Sequence, residues 1–417
     1  MEAPVAVETA KHVLHVLAVI LFVGAAVGAL AGRLRVPDVA LFLVAGMLLG
    51  PGVAGAIEVR ADSALNQLVL IFGASYVLFD GGASLRLKVL KEVWITIVIL
   101  ATLGVLATAA ITGLAASYLL GIPLAAALLL GSTIASTDPA TLVPVFRQVR
   151  IRERVAQTVM AESAFNDATG AIATFAALGI ATGRGELSIA GSLAELVKQA
   201  GIGVLVGGAL GWAAAWLIAH ERFGFLQEYA PVVTLMAVIG AYLAADGARS
   251  SGFMAVFVFG IVLGNKDAFG FAMEDREEEK LADFVATTAL VMRMFIFVLL
   301  GTQVDFGLMG RHLAGAIGVV AVFMLAARPA TVFLCALPDR RARWSMKELL
   351  FMCWTRETGV IPGALAGLLV GMQAPHAKLI ASVTFVAILA TILVQATTTR
   401  WLAGRLGLLE EEARAPA

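Results

Sequence analysis

Charge is scarce in this chain. Only 14% of its 417 residues are Asp, Glu, Lys or Arg, against roughly 25% in an average soluble domain. Hydrophobic residues make up 60%, and the mean hydropathy is +0.91. A water-soluble globule is thereby excluded, and a polytopic membrane protein is expected. Cysteine is nearly absent: Cys335 and Cys353 both lie in apolar runs, without metal-ligand spacing or a disulfide framework. The sequence has no Walker-type phosphate loop, no HExxH and no GxSxG. Thirty basic and thirty acidic residues cancel, so nothing points to nucleic acid. Little sequence follows the last apolar run, which leaves no room there for a nucleotide-binding or large sensory domain. The expected energy source is therefore an ion gradient, with no cofactor and no enzymatic chemistry.

What is present is apolar length. Thirteen segments stand out, at roughly 12–31, 37–53, 64–84, 93–120, 122–147, 155–182, 200–219, 229–246, 250–264, 284–304, 312–337, 348–371 and 377–399. A helix crosses a bilayer in about 20 residues, so an all-α protein of about thirteen spans is expected. Glu2 and Glu8 precede the first segment, and Arg33 and Arg35 follow it. That is the pattern of a retained span, not of a cleaved signal. With the amino terminus outside, inward loops and tail hold twenty Lys and Arg and outward loops seven. The excess sets that orientation and puts the carboxyl terminus in the cytoplasm of a cell (plasma or inner) membrane. Arg293, Arg328 and Arg356 fall inside apolar segments.

The most polar stretch inside any segment is Ala161-Glu162-Ser163-Ala164-Phe165-Asn166-Asp167-Ala168-Thr169-Gly170. Charges at this depth cost about 2.5–3.5 kcal/mol each and usually face a bundle interior or a water-filled cavity. At helical spacing Ser163 and Asp167 share one face, and Glu162 and Asn166 the neighbouring one. Side-by-side oxygens there suit a small cation; a polar knot that locks helices together is the other reading. Two further segments look interrupted. One contains Gly131-Ser132-Thr133-Ile134-Ala135-Ser136-Thr137-Asp138-Pro139, the other Trp354-Thr355-Arg356-Glu357-Thr358-Gly359-Val360-Ile361-Pro362-Gly363. Proline removes a backbone donor, so the first should unwind near Thr137. Non-helical backbone at membrane depth is tolerated only where protein or a water-filled cavity surrounds it. Broken segments at matching places in segments 1–6 and 8–13 point to inverted six-helix repeats, with a transport site between the breaks.

Thr137-Asp138-Pro139, followed in the next span by Glu162-Ser163-x-x-Asn166-Asp167, resembles the monovalent cation/proton antiporter superfamily. The Asn-Asp pair is similar to the branch that contains the NhaP-type and animal sodium/proton exchangers, whereas the NhaA branch carries Asp-Asp. The resemblance implies an NhaA-like antiporter fold with two crossed, unwound helices, elevator-like alternating access and a homodimer. It implies a single transporter domain over 1–417, with scaffold and dimerisation spans in 1–92 and 187–310, an ion-translocating core in 93–182 and 311–403, and a short cytoplasmic tail at 404–417. It also implies roles. Asp167 binds either cation or proton, and Ser163 and Thr137 are Na+ ligands beside it. Asp80 reaches the ion directly or through water, and Asp138 neutralises helix ends. Glu162 pairs with an arginine of the twelfth span, here Arg356, although that arginine lies two residues after Trp354 and not four as in many relatives. Arg328 serves the Asp138 side of the crossing. Arg293 is either a transport residue or a structural cation.

A buried carboxylate can hold a proton or a bare cation, and the two compete for the same oxygens. Moving it empty and charged costs several kcal/mol, so translocation favours the loaded site and exchange follows from competition alone. Asn166 cannot titrate. One exchangeable carboxylate then means one proton per cation, an electroneutral cycle suited to pH homeostasis. Sodium is the first expected substrate, with Li+ or K+ as alternatives. A gated cation channel or uniporter is the competing function. The acidic run Glu274–Lys280 is expected to be a solvated loop, and the glycines of the seventh segment to serve tight packing, as a linker between repeats or in a dimer contact. Membrane lipid, the cation and protons are the expected partners.

Overall fold

The computed structural model describes residues 5–34, 36–137, 142, 146, 151–183, 189–220 and 225–409. Among these the chain is helical apart from loops and one isolated bridge between Ile151 and Leu409. Among the described residues nine helices are long and apolar enough to cross a membrane, and four shorter apolar ones accompany them. All thirteen apolar segments are helical wholly or in part. The protein is an all-helical, multi-pass membrane protein.

The first half comprises α1 (Val5–Leu34), α2 (Asp38–Leu49), α3 (Ala64–Ala83), α4 (Leu87–Ile99), α5 (Val105–Leu120), α6 (Leu124–Thr133) and α7 (Glu153–Ala181). The long α8 (Ile189–Ala219) leads into α9 (Ala230–Gly247), α10 (Gly252–Gly264) and α11 (Asp275–Thr302). A short α12 (Phe306–Arg311) precedes α13 (Leu313–Val322), α14 (Arg328–Ala336), α15 (Met346–Trp354), α16 (Val360–Gly371), α17 (Ala377–Ala390) and α18 (Thr397–Leu406). Local signals set the ends. Ser63 and Ser251 cap α3 and α10 through their side chains, and Ser345 with Glu348 forms a capping box on α15. Gly121 and Gly407 end α5 and α18 in the left-handed conformation.

Packing sorts the helices into two groups. Helices α1–α3 and α8–α11 pack on one another, and α4–α7 pack with α13–α18. Along the seam α7 meets α8 and α10, while α16 meets α3 and α11. Two crossings in the first group bring glycines of both partners against the other's backbone. A Cβ on Gly46 would overlap the Val298 carbonyl, and one on Gly301 would overlap the Leu43 carbonyl, so α2 and α11 touch backbone to backbone. Gly82 and Gly260 do the same for α3 and α10 against the Phe257 and Phe79 carbonyls. Small residues let helices approach in this way where lipid offers no hydrophobic drive for association. The seventh-segment glycines serve similar packing: Gly203, Gly207 and Gly211 face α10, whereas Gly201 and Gly208 face no atom within 4 Å.

Among the described residues three π-turns interrupt helices, at Leu100–Gly104 between α4 and α5, Phe323–Ala327 between α13 and α14, and Thr391–Ala396 between α17 and α18. Such turns are frequent at functional sites because they free backbone groups and re-aim side chains. The acidic run departs from expectation. Asp275 to Lys280 form the opening turns of α11 and not a loop, although all but Glu277 are exposed as expected, with Asp275, Glu277 and Glu278 in the first turn. Carboxylates there complement the helix dipole, and Glu278 also pairs with Lys266 at 2.6 Å.

Candidate ion site at two broken helices

Both interrupted segments lose helical structure where the sequence predicts. Helix α6 ends at Thr133, and residues 134–137 are irregular. Helix α15 ends at Trp354, the chain is non-helical over 355–359, and α16 begins at Val360. Unwinding exposes backbone groups that must be satisfied away from water. At the second break the Thr358 N–H donates to Thr391 Oγ1 at 3.1 Å, so the π-turn of the last segment holds the open strand.

At the first break α7 supplies the partners. The Thr137 N–H donates to Asn166 Oδ1 at 2.9 Å, and Asn166 Nδ2 donates to Thr137 Oγ1 at 2.7 Å. Thr137 Oγ1 in turn donates to Ser163 Oγ at 2.9 Å. Asp167 follows Asn166 and lies one turn beyond Ser163. Thr137, Ser163, Asn166 and Asp167 are all within 2% of fully buried. The structure thus brings together four of the residues singled out in the sequence. Asp80 is buried on α3, a helix that also packs on α7. Asp138 lies outside the described residues.

The arginine assignments need correction. Glu162 pairs with Arg328, not Arg356: Arg328 Nη1 meets Glu162 Oε1 at 2.5 Å and Nη2 meets Oε2 at 2.8 Å, a two-bond fork. Arg328 opens α14 directly after a π-turn, which aims its guanidinium at α7. Its Nε donates to the Met352 carbonyl at 2.9 Å, so it caps the buried carboxyl end of α15; its expected service to the Asp138 side falls outside the described residues. Arg356 turns the other way. Its Nη2 donates to the Ala135 carbonyl just beyond α6, Nη1 approaches Thr108 Oγ1 at 3.4 Å, and its Cζ lies 5.0 Å from the Phe323 ring centroid. Each broken helix therefore has an arginine at its carboxyl-terminal end, where the dipole is negative. Arg293 stands apart, 3.7 Å from Asp38 at the start of α2.

Sequence reasoning missed several polar residues around this centre. Glu357 is fully buried in the second break; its place beside Arg356 was the available signal. Thr391 was hidden in an ordinary apolar segment. A clasp at the predicted cytoplasmic end was also unforeseen. Asp339, in the loop after α14, accepts from Thr96 Oγ1 at 2.6 Å and from the Arg341 and Ala342 amides. Burial raises its carboxyl, but these donors outweigh that and hold it below the usual carboxylate range. Arg154, in the first turn of α7, meets Glu348 of α15 at 3.2 Å. The Arg152 N–H reaches the Leu408 carbonyl at 3.0 Å, so the start of the tail is fastened to the start of α7.

The comparisons with known proteins fit this geometry. A family profile described as "Sodium/hydrogen exchanger, transmembrane" matches residues 17–405. The chain belongs to the sodium/hydrogen exchanger family. It is 33% identical over 361 residues to "Na(+)/H(+) antiporter 1" of Methanocaldococcus jannaschii, covering 84% of this chain and 81% of that one. It is 28% identical to "K(+)/H(+) antiporter NhaP" of Alkalimonas amylolytica, covering 95% and 67% of the two chains. Among solved structures, the sodium proton antiporter MjNhaP1 from Methanocaldococcus jannaschii at pH 8 superposes with a TM-score of 0.80 at 29% identity, over 97% of this chain and 100% of that chain. In this exchanger, the all-helical architecture and the antiporter-type fold expected from the motifs stand.

Proposed function

We propose that this exchanger swaps a monovalent cation, sodium first, for protons, and that Asp167 is the group for which the two compete. One observation carries the reading: a fully buried carboxylate follows directly on the Thr137–Ser163–Asn166 hydrogen-bond cluster where α7 crosses an unwound helix. A cation that sheds its water there finds carboxylate, hydroxyl and freed carbonyl oxygens. Thr137, Ser163 and Asp167 hold the cation, and Asp80 contributes from α3. Asn166 fixes the unwound strand, while the Glu162–Arg328 pair and Arg356 neutralise the ends of the broken helices. The chain acts as a transporter and needs no cofactor beyond the transported ions.

The thirteen apolar segments form inverted repeats, 1–6 and 8–13. The reciprocal glycine crossings support this, because segment 2 exchanges with segment 9 and segment 3 with segment 10 under that symmetry, so the 2–10 crossing maps onto the 3–9 crossing. So do the π-turns in segments 4 and 11. Residues 1–92 and 187–310 form a scaffold that dimerises. Residues 93–182 and 311–403 move against it to alternate access, with the amino terminus outside and the 404–417 tail in the cytoplasm of the cell membrane. Potassium is the second reading for the cation, since one relative is named a K(+)/H(+) antiporter.

The test is transport in proteoliposomes with an internal pH dye, adding Na+, Li+ or K+ in turn with the membrane potential clamped. An exchanger gives a cation-triggered pH change under the clamp. A pH that stays flat while cation still enters would indicate a channel or uniporter.

A further inference from the structure

Ser136 adjoins this cluster and is so far without a role. It is fully buried in the unwound strand after α6, and among the described residues its hydroxyl has no hydrogen-bond partner. A buried hydroxyl left in that state is unfavourable, so each instance calls for an explanation. Its position supplies one. A Cβ built on Gly170 would lie 3.0 Å from Ser136 Cβ and 3.3 Å from its Oγ. Gly170 stands one turn after Asp167 on α7, and Ser163 one turn before it. The strand from 136 to 137 therefore runs over α7 with Ser136 against the turn after Asp167 and Thr137 against the turn before.

We infer that the Ser136 hydroxyl is a further oxygen ligand of the transported cation, on the Gly170 side of Asp167, and that it sets which monovalent cation the site prefers. The inference rests on the reading of Asp167 as the exchange site. A hydroxyl can turn two lone pairs toward an ion without changing the charge of the site. Selectivity among cations of equal charge depends on the number of oxygens and how closely they can approach. Gly170 is part of the device, because only its missing side chain lets Ser136 sit against α7.

The test uses the full-length exchanger in proteoliposomes, comparing wild type with Ser136→Ala and Gly170→Ala. Wild type comes first: if it shows no cation-triggered proton movement, the exchange reading itself fails. If it exchanges, Ser136→Ala is expected to raise the apparent KM for sodium by about five- to tenfold, the worth of one polar contact. The KM for potassium should change less, and the maximal rate should stay within about twofold. The pH dependence at saturating sodium should not move, because a hydroxyl does not titrate in this range. Gly170→Ala should shift the sodium-to-potassium ratio the same way by displacing Ser136, and it decides the matter should Ser136→Ala not be recovered folded. Unchanged KM values for both cations, or an equal shift for both with a lower maximal rate, would mean that Ser136 only fills space.

Discussion

Asn166 accepts from the Thr137 N–H and donates to the Thr137 hydroxyl, and an ionised carboxylate could make only the first of these bonds. Asn166→Asp should therefore loosen the first break by about 1–3 kcal/mol, the cost of a buried polar group left without its partner, read as a lower unfolding temperature in detergent. The Glu162–Arg328 fork makes a second residue-level prediction. Glu162→Gln strands a buried guanidinium and should cost about 3–5 kcal/mol. The charge reversal Glu162→Arg with Arg328→Glu should recover part of that stability, whereas Glu162→Arg with Arg356→Glu should recover none. Equal recovery by both pairs would contradict the assignment made here. The sequence brought Glu162 to an arginine but not to the right one. Both candidates lie within apolar segments, and what separates them is a π-turn that rotates Arg328 toward α7. A local insertion of that kind leaves no mark in hydrophobic periodicity.

Among the elements, the reciprocal glycine crossings are backbone-to-backbone contacts. Gly46→Ala would drive a Cβ into the Val298 carbonyl, so α2 and α11 must separate, at a cost of about 1–3 kcal/mol typical of overpacking. Lower melting temperature and lower yield of folded protein would show it; Gly208→Ala, which meets no atom within 4 Å, is the control. The Asp339 clasp adds a pH dependence. Because the folded carboxyl lies below its unfolded value of 3.8, its contribution is fully present above that value and is lost as pH falls through the folded one. Asp339→Asn should lower stability at neutral pH and flatten the dependence below about pH 4, as measured by thermal melts across pH. The breaks at Thr137 and Thr355 were legible because proline, glycine and polar residues interrupt long apolar runs. The clasp was not, since Thr96 and Asp339 are far apart in sequence and each is ordinary where it stands.

On the scale of the whole molecule, two groups of helices meet along a seam that α7 and α16 share, and both elements carry or adjoin the broken strands. One group sliding past the other would carry Asp167 with it, and a loaded carboxylate crosses at less cost than a bare one. With Asn166 unable to titrate and Glu162 held by Arg328, one proton per cation is expected. Each 100 mV is worth about 2.3 kcal/mol per net charge moved, so a potassium–valinomycin potential should leave the steady pH gradient unchanged. A gradient that tracks voltage would require a second proton carrier. The most direct measurement concerns Asp167 itself: sodium-triggered pH change in proteoliposomes that hold equal amounts of folded wild type and Asp167→Asn. The substitution keeps the volume and removes the titratable oxygen, so exchange should vanish for every cation while the melting temperature is retained. Exchange at the wild-type rate in Asp167→Asn would contradict the account.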